Sequence, residues 1–124
     1  MIETEFETLS RRIGVTFFEI ATDLCDRGVV HAESSARQPR DGCLLTIKKS
    51  GLPTETDTGT FALKNHPARE MVRIELGDTR VNAGLSYEVN VVPASEITPD
   101  AIRARIVKFV DDWLARLLSY SAVR

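Results

Sequence analysis

Hydrophobic period changes twice along this chain, and that double change limits its fold more than any other feature. Near the start, Ile2, Phe6, Leu9, Ile13, Phe17, Ile20 and Leu24 fall three and four residues apart, the spacing that lines one face of an α-helix. From residue 43 the apolar residues alternate instead: Cys43, Leu45 and Ile47; Phe61 and Leu63; Val72, Ile74 and Leu76; Leu85, Tyr87, Val89 and Val91. Alternation of this kind belongs to strands with one dry and one wet face. Helical spacing then returns through Ile102, Ile106, Phe109, Val110, Trp113, Leu114, Leu117 and Leu118. With 124 residues there is room for one domain of ordinary size. The pattern predicts a single α+β domain over 1–124. Its architecture is a two-layer sandwich, an antiparallel four- to five-stranded sheet with long N- and C-terminal helices packed on one face, in the order α-β-β-β-β-α.

Local signals refine the elements. The first helix is expected over the first 27 residues. Glu3, Glu5 and Glu7 lie in its first turns, where the dipole favours negative charge, and Gly28 suits a left-handed stop after Arg27. From Val15 its apolar face widens to take in Phe18, Ala21 and Cys25, so its second half is expected to be the more deeply buried. The last helix begins at Thr98 as N-cap, with Pro99 and Asp100 following and Ile97 and Ile102 placed to staple its entry. Trp113 continues its apolar stripe and is expected in the core. Six acidic against three basic residues in 1–27, and five basic against three acidic in 98–124, give the two helices opposite signs. Either they pack side by side within one chain, the simpler arrangement, or they meet across a dimer.

Two stretches of the middle leave choices. A two-residue turn at Gly77-Asp78 would set Ile74 opposite Val81 and keep Leu85, Tyr87, Val89 and Val91 on the dry face. The alternative turns at Asn82-Ala83-Gly84 and makes Gly77 a bulge; the first is the expectation. Val29 to Ala32 reads either as a short edge strand or as irregular chain, and Ser34 to Gly42 as loop.

Composition narrows function mostly by exclusion. Sixteen Lys+Arg against 18 Asp+Glu leave a net charge of −2, which gives no general attraction for nucleic acid. The element order is similar to that of double-stranded-RNA-binding domains, yet the last helix opens Thr98-Pro99-Asp100-Ala101 where that family carries basic residues. Lys48-Lys49 and Arg103, Arg105 and Lys108 are the basic groupings. The acidic start, Met1-Ile2-Glu3-Thr4-Glu5, lacks the features of a secretory signal, and no apolar run has the length of a spanning helix. A cytoplasmic protein with Cys25 and Cys43 reduced is the expectation. The scarcity of Lys beside Arg fits a GC-rich bacterial genome.

Chemical motifs fail on their context. Asp57-Thr58-Gly59-Thr60 matches the aspartic-protease signature, but polar Thr54, Glu55 and Thr56 precede it where that family has an apolar strand. An ordinary turn is the expected reading. His31-Ala32-Glu33 is similar to the His-x-Glu of zinc deaminases, without their Pro-Cys-x-x-Cys partner segment. Cys25, His31, Cys43 and His66 lack the short ligand spacings of structural zinc sites. There is no nucleophile elbow and no glycine-rich phosphate loop. In size, charge and element order the chain resembles type III secretion chaperones, which dimerise and bind partner segments.

The expected function is therefore a small non-enzymatic protein-binding module without cofactor or metal. The alternatives are a small-ligand binder or enzyme with a site between the sheet and the 50–58 loop and, more remotely, a nucleic-acid binder. A 25-residue helix is about 37 Å long against a sheet roughly 20 Å wide. The first helix should therefore overhang the sheet, exposing Ile2, Phe6 and Leu9 as a candidate interaction surface for a homodimer or another protein.

Overall fold

The computed structural model describes residues 4–28, 30–35, 42–49, 58–79 and 86–122, the side chains of 35, 49, 86 and 116–122 excepted. The first helix, α1, runs Glu5–Arg27. Thr4 caps it: its hydroxyl accepts the Glu7 N–H at 3.1 Å and donates to the Glu7 carboxylate at 3.2 Å. Gly28 ends it at φ 74°, its N–H returning to the Cys25 carbonyl, a conformation that glycine adopts without steric cost.

Five strands follow: β1 (Val30–Ser35), β2 (Cys43–Lys49), β3 (Thr58–Asn65), β4 (Met71–Asp78) and β5 (Ser86–Pro93). Each is hydrogen-bonded antiparallel to the next, so order in the sheet is order in the chain. A 3-10 turn, Ala94–Glu96, leads to α2 (Pro99–Ala122). Thr98 caps α2, accepting the Ala101 N–H on its hydroxyl at 3.2 Å and the Ile102 N–H on its carbonyl at 2.9 Å. Five antiparallel strands between two helices make the helices run in the same direction. Arg103 accordingly meets Glu19 at 3.5 Å, and Leu24 and Arg27 lie beside Val110 and Leu114 farther along.

The core forms where the inner face of the sheet meets both helices. Cross-strand rows such as Cys43–Leu63–Ile74 and Leu45–Phe61–Leu76 supply its floor. Ile13, Phe17 and Ile20 of α1 and Ile102, Ile106, Phe109 and Trp113 of α2 close it from above. Phe61 stands between Phe17 and Phe109, with ring centroids 5.9 and 5.8 Å away, spacings favourable for tilted aromatic contacts. Trp113 is fully buried, as its stripe predicts, and it lies over the backbone of Gly59. A Cβ on Gly59 would stand 2.8 Å from the indole Cδ1. On the outer face Glu75 binds Lys64 at 3.1 Å and Arg73 at 2.7 Å.

The architecture is the expected α+β sandwich, with five strands. Several details depart from expectation. Gly77 and Asp78 are not a turn: they belong to β4, and the register shifts between Leu76 and Gly77. The Gly77-Asp78 turn is therefore excluded; the alternative turn at Asn82-Ala83-Gly84 lies outside the described residues, and the irregularity falls beside Gly77 with its extra residue on β5. Leu76 pairs with Glu88 and Gly77 with Ser86, which leaves Tyr87 as the extra residue. That extra residue reverses the parity of the rest of β5. Val92, Asn90 and Glu88 now share the inner face with Val72, Ile74 and Leu76, while Val89 and Val91 point outward, each 44% exposed.

In α1 the deeper burial is not in the second half. Phe6, Leu9, Ser10 and Ile13 are buried, while Val15 and Phe18 are 58% and 65% exposed. Their side of the helix faces away from both the sheet and α2, and a two-layer fold leaves such a side uncovered. Val30–Ser35 is an edge strand, extending through Ser34 and Ser35 where loop was expected.

Candidate functional site

One side of α1, flanking its buried stripe, carries Glu5, Thr8 and Arg12 at spacings of three and four. Opposite them stands the connection from β3 to β4, shaped by its own hydrogen bonds. The Ala68 N–H donates to His66 Nδ1 at 3.0 Å, and the Met71 N–H to the Ala68 carbonyl at 3.3 Å. Glu70 closes the connection at φ 62°, the one non-glycine residue with positive φ among those described. That conformation costs an ordinary residue about 1–2 kcal/mol. The Glu70 carbonyl accepts the Ala94 N–H at 2.7 Å, fastening the connection to the segment between β5 and α2.

These three elements enclose an open groove of about 620 Å³. An adjoining hollow of about 300 Å³ extends it past Thr4, Phe6 and His66. Leu9, Met71, Pro93 and Ala94 give it an apolar floor, and Glu5, Arg12, Arg69, Glu70 and Ser95 a polar rim. Among the described residues, none of these four charged side chains is held in an ion pair. The groove thus offers two guanidinium forks and two carboxylates around an apolar strip. Arginine here can take a carboxylate through two parallel hydrogen bonds, and the floor can take an apolar side chain.

The residues singled out from sequence lie elsewhere or do other work. Phe6 and Leu9 are 8% and 5% exposed, so the exposed apolar row expected at the start of α1 is not formed by them. Both side chains belong to the buried core. Ile2 lies outside the described residues, as do 50–57 of the loop and Asp57 of the protease-like tetrapeptide. Thr58, Gly59 and Thr60 are strand residues of β3 where a turn was expected. His31 bonds Glu33 at 3.1 Å on the exposed edge strand, and His66 serves its own turn.

Each cysteine engages a different element. The Cys25 thiol donates to the Ala32 carbonyl at 3.2 Å and accepts the Ala32 N–H at 3.3 Å, tying α1 to β1. The Cys43 thiol donates to the Ser10 carbonyl at 3.3 Å, tying β2 to α1. Burial pushes the Cys43 thiol above its ordinary value of 9.0, with the Ser10 hydroxyl working the other way. No group of three or more His, Cys, Asp or Glu placed to hold a metal occurs among the described residues. Two members of the basic grouping on α2 are matched by acids, Arg103 by Glu19 and Lys108 by Asp112 at 3.3 Å.

Compared with family models, curated proteins and solved structures, the chain gives no match. Among the described residues, no helix is long and apolar enough to cross a membrane. The groove escaped the sequence reading because its parts lie far apart in the chain. The one legible signal was the Glu5, Thr8 and Arg12 series, which the apolar stripe beside it obscured.

Proposed function

We propose that this protein is a small cytoplasmic, non-enzymatic interaction module that holds a short polypeptide segment of mixed charge in the groove between α1 and the β3–β4 connection. The observation that carries the reading is the set of four charges without an ion pair among the described residues, Glu5, Arg12, Arg69 and Glu70, around one apolar floor. The volume lies within the range of about 300–1,000 Å³ usual for binding sites. The groove is open and lined by charged groups beside an apolar strip, which suits a chain laid across it better than an enclosed small molecule. The strained, hydrogen-bonded Glu70 turn supports the same reading, because strain of this kind concentrates at binding sites.

The test is selection of peptides from a random display library against the wild type and an Arg12→Glu/Arg69→Glu variant. Enriched peptides are expected to bind the wild type at least tenfold more tightly than the variant, a difference of about 1.4 kcal/mol. They should also move the amide resonances of Glu5–Arg12, His66, Ala68–Met71, Ala94 and Ser95. Equal binding by both proteins, or shifts confined to other residues, would overturn the assignment.

A further inference from the structure

We propose that β5 is a self-pairing edge, through which two copies of this chain join their sheets about a two-fold axis. β5 ends the sheet, with β4 as its one hydrogen-bonded neighbour among the described strands. The Ala94 N–H donates to the Glu70 carbonyl, flanking the Met71–Pro93 pair. This makes Met71–Pro93 a pair without mutual hydrogen bonds, and the alternation of an antiparallel ladder sets the rest. Val92, Asn90 and Glu88 turn their backbone groups toward β4. Val89 and Val91 turn theirs outward, away from the sheet. Pro93 has the same outward parity and has no N–H to offer, which ends the free run.

The two edges of the sheet differ in how they are guarded. β1 presents His31 and the charged Glu33 on its exposed face, and a charge on an edge discourages pairing. β5 presents Val89 and Val91 in the corresponding place, each 44% exposed. A strand with free backbone groups and exposed β-branched side chains is a template for another strand.

The sequence of β5 is complementary to itself in one register. With Asn90 on the two-fold axis, Val89 of each copy faces Val91 of the other. The outward N–H and C=O groups of these residues then form four hydrogen bonds across the axis, and four valines gather on the outer face. On the inner face Glu88 lies opposite Val92 of the other copy, so like charges do not meet. The two Asn90 amides meet at the axis. Each already gives one hydrogen to Glu88 at 2.9 Å and keeps a second hydrogen and a carbonyl oxygen for its mate. A register centred on Glu88 would set two carboxylates face to face. The occupant that fits this edge is a second copy, and the product is a continuous ten-stranded sheet.

Sedimentation over a range of concentrations, with two kinds of variant, tests the pairing. The wild type is expected to rise with concentration toward twice its 13.8 kDa mass. Val91→Pro removes an outward N–H and leaves the β4 ladder untouched, so it should stay monomeric with an unchanged circular dichroism spectrum. Asn90→Cys places two thiols at a pair without mutual hydrogen bonds, where Cα atoms lie about 4.5 Å apart, close enough for a disulfide. It should crosslink on oxidation, whereas Val89→Cys should not. A wild type that stays monomeric throughout, a dimer that survives Val91→Pro with its fold intact, or crosslinking through Val89→Cys instead of Asn90→Cys would each overturn the proposal.

Discussion

At the scale of single residues, the two thiols differ in reach. Cys25 is half-buried and hydrogen-bonded to both backbone groups of Ala32. Cys43 is buried against Ser10, and its burial favours the neutral thiol. Since the thiolate is the reactive form, a thiol reagent should modify Cys25 first and reach Cys43 only at the rate of unfolding. The same displacement makes stability depend on pH. The native Cys43 keeps its proton longer than the unfolded chain does, so nothing is lost below the ordinary value of 9.0. As pH rises beyond it, the unfolded thiol ionises first and stability falls until the native thiol titrates as well. Thermal melts of the wild type and Cys43→Ala from pH 8 to 10.5 should show the steeper alkaline decline in the wild type.

At the scale of elements, the joint between α2 and β3 is the closest fit in the core. Gly59 leaves the space that Trp113 occupies, and a Cβ there would stand 2.8 Å from the indole and 3.0 Å from Ile47 Cγ1. Gly59→Ala should therefore destabilise the protein by about 1–3 kcal/mol, the usual cost of overpacking. Urea unfolding measures this, and most of the cost should vanish when Trp113→Leu is present as well, a coupling that a double-mutant cycle isolates. Helices and inner strands were legible from sequence because one periodic face faces one core. The start of α1 at Thr4, later than the expected first residues, had an unread signal in Thr4-Glu5-Phe6-Glu7, which fits a capping box. The parity of β5 was misread, because its apolar alternation, Tyr87, Val89 and Val91, points to the face that the register turns outward. Only the bulge at Tyr87 decides the parity. For the groove the gap was greater: the left-handed Glu70 carries no residue signal, and tertiary packing alone brings Arg69 toward Arg12.

At the scale of the whole molecule, opposite helix charges meet within one chain, with Glu19 and Arg103 as their visible contact. An exposed pair of this kind contributes about 0–1 kcal/mol; burial of Ile13, Phe17, Ile106 and Trp113 holds the helices down. The strand order that follows the chain bears also on how fast the protein folds. Each hairpin closes a short loop, and loop entropy rises with length, so pairing between successive strands is the least costly route into the sheet. Docking of α2 comes last, because it must find α1 across 84 residues of separation. Barrier crossing should accordingly coincide with formation of the central hairpin. Ile74→Val in β4 is then expected to slow refolding, whereas Ile106→Val in α2 should leave refolding nearly unchanged and accelerate unfolding. Stopped-flow chevrons read through the fluorescence of Trp113 would reveal the difference, since that indole changes surroundings only when α2 settles onto Gly59.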